Sequence, residues 1–253
     1  MTEQTAIRVG VLGAAGRMGG QTCEAVDAAD GMDLVARLDR DDGLDLLAES
    51  GAEVVVDFTQ PDVVMDHVRW CVENGRHAVV GTSGFDEERL DHVREWLRGV
   101  PDVGVLIVPN FSIGAVLMTR FAAEAARFFE SVEIIELHHP DKVDAPSGTA
   151  HRTAEVVAAA RSAAGRPATP DATTTEVGGA RGANVDGVRV HSVRLRGLLA
   201  HQEVLLGARG ETLTIRHDST HRESFMPGVV AAIRAVRGRP GLTVGLDQIL
   251  GLT

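Results

Sequence analysis

Residues 6–20 read "AIRVGVLGAAGRMGG", and the fold turns on them. An apolar, β-branched run ends at Gly13, and Gly16 and Gly19 follow at intervals of three. A helical pattern then runs from about Met18 to Ala29. A strand that breaks at glycines and re-forms as a helix suits a pyrophosphate. Glycine lets the backbone turn tightly and approach the phosphates, and the helix N-terminus offers unpaired N–H groups to their charge. The spacing is one residue longer than the usual G-x-G-x-x-G, and an unliganded tight turn would use the same residues. Context favours a dinucleotide: Asp39 closes the next strand-like run, "DLVARLD" (33–39), where an acid accepts hydrogen bonds from ribose hydroxyls. Arg40 beside it suits a 2′-phosphate, and Arg17 in the loop is a second phosphate candidate, so NADH and NADPH both stay open.

Outward from this stretch the first half alternates. "EVVVDFT" (53–59), "HAVVGT" (77–82) and "VGVLIVPN" (103–110) read as strands. Helical patterns lie between them at 61–75 and 86–99, the first with Pro61 near its start and Gly75 past its end. Such alternation predicts an α/β, Rossmann-like, doubly wound parallel sheet. Ligands of these sheets gather beyond the strands' carboxyl ends, which singles out "GTSGF" (81–85) and "PNFS" (109–112) for the nicotinamide side.

The pattern changes near residue 112. A helix (114–129), a strand (131–139), a helix (148–164) and a polar Gly/Pro/Thr-rich loop (165–187) precede three strands without helices between them, at 188–195, 201–208 and 211–219. That order predicts an α+β C-terminal domain with a mixed or antiparallel sheet. A last helix, 224–238, can return to the first sheet. The expected division is a dinucleotide-binding domain of 1–112 with 222–253 and a second domain of 113–221.

Charge follows the same division. Residues 1–112 hold 9 Arg against 21 Asp and Glu, whereas 113–221 hold 12 basic and 13 acidic residues and seven of the ten histidines. The formal net charge is −11, aromatics make up 4% and Tyr is absent, which argues against a nucleic-acid or anionic-membrane surface. No apolar run approaches the ~18 residues of a membrane span. "MTEQTAIRVGVLG" shows no basic leader and apolar core, so no signal peptide is expected. Cys23 and Cys71 lie in helical patterns and read as small buried residues, in keeping with a reducing cytoplasm.

The chemistry concentrates in "IIELHHPDKVDAPSGTA" (134–150), which carries Lys142, the single lysine among 25 basic residues. His138 and His139 end a strand and should point to opposite faces. Ser147 reads as the N-cap of the next helix, leaving the Gly148 and Thr149 amides to bind an anion. An imidazole, an ammonium able to release a proton and an anion cradle thus fall within twelve residues. A His-His pair without a third well-spaced ligand is poor evidence for a metal, and none is expected. His191, Arg194, Arg196, His201, Arg216 and His217 add a candidate positive field for an anionic substrate.

Taken in order, "GAAGRMG", "DFTQPD", "HAVVGTSGF", "PNFSIGA", "ELHHPDKVDAPSGTA", "GGARG", "GLLAHQEVLLG" and "ETLTIRHDSTHRESF" closely resemble the 4-hydroxy-tetrahydrodipicolinate reductase (dihydrodipicolinate reductase) family, in its actinobacterial form, over essentially the whole chain. The resemblance implies NADH- or NADPH-dependent reduction of a small cyclic dicarboxylate in the diaminopimelate route to lysine, by a homotetramer whose C-terminal sheets meet. It implies His138 as acid/base and Lys142 as proton donor. It gives His139, Gly148 and Thr149 to the substrate carboxylates. It places Gly13, Ala14, Ala15, Gly16, Arg17 and Met18 on the pyrophosphate and Asp39 on the ribose. It sets Gly81, Thr82 and Ser83 with Val108, Pro109, Asn110 and Phe111 on the nicotinamide side. Ser83 stands where threonine is common but keeps the hydroxyl. A non-catalytic NAD(P)-sensing protein would explain the glycine loop equally well but not the His-His-Lys segment. Another Rossmann-type reductase would need a different substrate motif.

Overall fold

The computed structural model describes residues 5–252. The chain forms two compact units, one drawn from Met1–Ile113 with Phe225–Thr253 and the other from Gly114–Ser224.

The first unit is built on a six-stranded sheet. Its strands are β1 (Ile7–Leu12), β2 (Met32–Leu38), β3 (Val54–Asp57), β4 (His77–Val80), β5 (Gly104–Ile107) and β11 (Gly241–Val244), in the order β11-β5-β4-β3-β1-β2. Every pairing is parallel. β3 (VVVD) and β5 (GVLI) are short, mostly β-branched or aliphatic and buried along their whole length, as strands covered by helices on both faces must be, with Asp57 the one buried acid among them. The helices are α1 (Arg17–Asp27), α2 (Asp45–Ser50), α3 (Val64–Glu73), α4 (Glu87–Leu97) and α7 (Met226–Val236). Asp86 caps α4 by accepting the Arg89 amide at 2.9 Å. Because the chain leaves β1 toward β2 on one side and resumes at β3 on the other, the order reverses between β1 and β3. The loops at that carboxyl edge are the expected place for a ligand.

The second unit packs α5 (Ile113–Ala126) and α6 (Gly148–Ala163) on one face of a five-stranded sheet. The order is β10-β9-β6-β8-β7, from β6 (Ser131–His138), β7 (Ala183–Val185), β8 (Val188–Arg194), β9 (Ala200–Ala208) and β10 (Glu211–Ser219). β6 pairs parallel with β8 and antiparallel with β9, so the sheet is mixed. β6 alternates strictly: Val132, Ile134 and Glu136 are buried, and the residues between them are half-buried.

The sequence pattern missed three elements: α2, β7 and β11. Each has six residues or fewer, too few for a hydrophobic period to emerge. Cys23 and Cys71 are free and buried, and burial pushes both thiols above their ordinary pKa.

Candidate active site

In the first unit, Gly13 leaves β1 with φ +75°, and a Cβ there would lie 2.6 Å from the Phe58 carbonyl oxygen. A Cβ on Gly19 would lie 2.0 Å from the Gly13 oxygen. The loop is therefore pressed against both the residue that follows β3 and its own helix, with no room for side chains at either point. α1 begins at Arg17 with Gly16 as N-cap, without a capping side chain and without an acid in its first turn. Its first N–H groups and positive dipole end are thus offered to an external anion.

Asp39 follows β2 directly. Its Oδ2 accepts the Ala15 amide at 2.8 Å, and its Oδ1 accepts the Arg40 amide at 3.0 Å. The acid expected to meet a ribose therefore also pins the glycine loop, and the Ala15 amide belongs to Asp39. Arg17 and Arg40 are exposed.

Gly81, Thr82 and Ser83 follow β4, and Val108–Phe111 follow β5, on the same carboxyl edge. Phe58 and Phe111 pack as a tilted pair with ring centroids 5.4 Å apart. A Cβ on Gly81 would fall 2.2 Å from the Phe58 ring, which explains glycine there. Thr82 is buried and donates to Asp57 Oδ1 at 2.6 Å. The same oxygen accepts the Thr59 amide at 2.9 Å and the Thr59 hydroxyl at 2.7 Å. Oδ2 lies 2.7 Å from His67 Nδ1. Asn110 Oδ1 accepts the Ser112 amide at 2.8 Å, which folds the loop after β5 back on itself. A glycine-lined turn, an uncapped helix start and an acid after β2 fit an NAD(P)H molecule.

In the second unit, His138 ends β6 and His139 begins the loop, closed by the Lys142 amide donating to the His139 oxygen at 3.2 Å. Ser147 caps α6, accepting the Ala150 amide at 3.2 Å. The Gly148 amide departs from expectation. Rather than standing free, it donates to Asp144 Oδ2 at 3.2 Å, and Lys142 Nζ donates to Asp144 Oδ1 at 2.6 Å. Asp144 thus supplies an anion to two groups expected to bind one. Burial raises its pKa, but the Lys142 ammonium together with the Asp144 and Gly148 amides outweighs this, so the carboxyl sits below its ordinary value.

Glu136 lies two residues before His138, so strand periodicity puts both on one face. Its side chain is fully buried, and Oε2 accepts from His138 Nδ1 at 2.5 Å. Arg194, on β8, forks onto both oxygens at 2.9 and 2.8 Å and also donates to the Asp144 carbonyl at 2.6 Å. One hydrogen-bonded chain therefore joins His138, Glu136, Arg194, Asp144, Lys142 and Gly148.

The expected positive field is mostly neutralised within the unit. Arg194 pairs with Glu136, His191 with Glu133, His201 with Asp218, and Arg216 with Asp218 and Glu203. Strand partners that the sequence could not align supply those acids. Glu136 and Asp144 escaped the sequence reading, although each stands two residues from a residue it did select.

Residues 7–111 match the family model "Dihydrodipicolinate reductase, N-terminus", and residues 114–250 match "Dihydrodipicolinate reductase, C-terminus". A 4-hydroxy-tetrahydrodipicolinate reductase of Nocardia farcinica is 65% identical over 97% of this chain and 99% of its own. One from Streptomyces coelicolor is 62% identical over 97% and 98%. The solved structure of a dipicolinate-bound dihydrodipicolinate reductase from Paenisporosarcina sp. TG-14 superposes with a TM-score of 0.86 at 39% identity, covering 97% of this chain and all of that one. With both halves matched in order, and with relatives this similar along nearly their whole length, the chain belongs to the dihydrodipicolinate reductase family.

Proposed function

We propose that this chain reduces 4-hydroxy-tetrahydrodipicolinate to tetrahydrodipicolinate with NADH or NADPH, in the diaminopimelate route to lysine. The observation that carries the reading is the chain of contacts from His138 to Lys142 and Gly148, found in a protein that matches the family over both halves. The dinucleotide-binding domain is residues 1–112 with 222–253, and residues 113–221 bind the substrate.

Bound NAD(P)H supplies a hydride; overall, hydride and one proton are taken up and water is lost. Gly13, Ala14, Gly16, Arg17 and Met18 hold the pyrophosphate, with Ala15 shaped by Asp39, which takes the ribose. Gly81, Thr82 and Ser83 with Val108, Pro109, Asn110 and Phe111 flank the nicotinamide. His139, Thr149 and the Gly148 amide hold substrate carboxylates, which take over from Asp144 its contacts to Lys142 and Gly148. His138 and Lys142 stabilise the negative charge that hydride transfer places on the ring, and they deliver its proton.

The protein works as a homotetramer in the cytoplasm. In support, the sheet face of the second unit away from α5 and α6 leaves Ile135, Leu137, Val193 and Leu205 only half-buried. No helix among the described residues is long and apolar enough to cross a membrane.

The test is NADH and NADPH oxidation coupled to dihydrodipicolinate synthase with aspartate semialdehyde and pyruvate. Oxidation that depends on the synthase is expected. A rate equal to the synthase-free background would exclude the activity.

A further inference from the structure

We propose that Glu136 is a positioning residue that fixes the tautomer of His138, so that the exchanged proton travels through Nε2. The inference rests on the proton-transfer role given to His138 and deepens it.

Glu136 is completely buried, and an isolated carboxylate there would cost on the order of several kcal/mol. Hydrogen-bond donors on both oxygens offset that cost. Oε2 accepts from His138 Nδ1 at 2.5 Å and from Arg194 Nη1 at 2.9 Å. Oε1 accepts from Arg194 Nη2 at 2.8 Å and from the Ser147 amide at 3.2 Å. Burial pushes the carboxyl pKa up, but hydrogen bonds from His138, Arg194 and Ser192 outweigh it and hold the group at about 2. Glu136 is therefore ionised at any working pH.

An ionised carboxylate only accepts hydrogen bonds. The hydrogen between Glu136 and His138 therefore belongs to Nδ1, whether the ring is neutral or charged. Nε2 is left as the nitrogen that gains and loses a proton. Without this contact a neutral imidazole divides between two tautomers, one of which presents the wrong nitrogen.

The surroundings make Glu136 specific to this task. β8 brings Arg194 and Ser192, and α6 brings the Ser147 amide. β9 sets the uncharged Gln202 opposite Glu136 in register, with its amide turned to Thr153 at 3.0 Å, and α5 contributes Thr119, bonded to Thr153. His201, next to Gln202, is engaged by Asp218. A simple Glu136–Arg194 pair would leave the imidazole alone, yet Oε2 is shared between guanidinium and ring. Arg194 also reaches the Asp144 carbonyl at 2.6 Å, so the same carboxylate steadies the loop that carries Lys142.

The experiment uses the full chain with 15N-labelled histidine and compares Glu136→Gln, Glu136→Asp, His138→Gln and the double Gln variant. The His138 resonances, assigned by their loss in His138→Gln, should report the Nδ1–H tautomer in the parent and lose it in Glu136→Gln. At saturating substrates kcat should fall about 100-fold in Glu136→Gln. KM for NAD(P)H should stay within about two-fold of the parent. Glu136→Asp keeps the anion on a shorter stem and should recover about a tenth of parental kcat with part of the Nδ1–H signal. The double variant should be no slower than His138→Gln, because Glu136 acts through that ring. Parental kcat and an unchanged tautomer in Glu136→Gln overturn the proposal, as does a double variant slower than His138→Gln. Should Glu136→Gln not fold, Glu136→Asp decides: parental kcat there overturns the proposal, and a loss with a weakened Nδ1–H signal supports it. Parental turnover in His138→Gln instead sinks the proton-transfer reading beneath it.

Discussion

Asp57 and Glu136 are nearly the same object in two places. Each is a carboxylate near the carboxyl end of a strand, 2% and 0% exposed, and each holds the Nδ1 of a histidine, at 2.7 Å to His67 and 2.5 Å to His138. The remaining partners differ. Asp57 is completed by neutral donors, the Thr59 amide and hydroxyl and the Thr82 hydroxyl, which come from the turns after β3 and β4. Glu136 also takes neutral donors, the Ser147 amide and Ser192, but adds a guanidinium fork that Asp57 lacks. The first arrangement ties loops together and sets shape beneath the cofactor edge. The second balances charge around the imidazole to which the proposed mechanism gives proton transfer. Burial and a histidine contact are common to both, so neither feature by itself tells the two sites apart; the charge of the other partners does.

The largest effect that would break the comparison lies beside Glu136. Lys142→Ala should cut kcat about 100-fold or more while NAD(P)H binding, followed by fluorescence titration, is retained. Near-parental kcat at saturating substrate would remove Lys142 from the chemistry. Asp57→Asn comes next. Exchanging one acceptor oxygen for an amide leaves a buried donor unmatched, costing about 2 kcal/mol and lowering Tm by about 4–8 °C in calorimetry. Its kcat should fall far less than that of Glu136→Gln. Equal losses in the two variants would erase the distinction between shape and charge.

Acid tests the charge on Glu136 directly. Glu136 has its folded pKa lowered from 4.5 to about 2. A depressed carboxylate contributes stability that is fully present above 4.5 and lost as pH falls toward 2. In urea unfolding, the gap between the parent and Glu136→Gln should therefore narrow from about pH 6 to about pH 3. A gap independent of pH would show that the charge does not stabilise the fold. The smallest expected effect is Arg40→Ala. It should weaken NADPH several-fold and NADH hardly at all, by about 1 kcal/mol at most for an exposed arginine. Equal changes for the two cofactors would free Arg40 of any part in the choice.

Much of this was legible from local pattern. The strand-glycine-helix stretch, the buried runs of β3 and β5 and the alternation of β6 are short-range features, and they place Gly13, Asp39 and His138 correctly on their elements. Local pattern leaves the Gly148 amide open because Asp144, four residues earlier, folds back only once the loop closes. Composition alone puts Arg194 in a field facing a substrate. Its partner Glu136 is 58 residues away on the adjoining strand, and no local spacing reports that pairing.

By itself the sequence determined the order of elements, the change from an alternating α/β half to a sheet-rich second half, and the residue types that the chemistry needs. These follow from side-chain periodicity and glycine's conformational freedom, both properties of neighbouring residues. Tertiary structure alone decided which charges meet. Sheet register set Arg194 beside His138, Glu136 turned the imidazole, and Asp144 occupied Lys142. Of those contacts, the one from Arg194 to Glu136 joins residues 58 apart and forms only when β6 and β8 pair, where burial makes an unmatched charge too costly to leave alone; the other two link residues two apart, and it is the fold of the strand end and the loop that lets them meet.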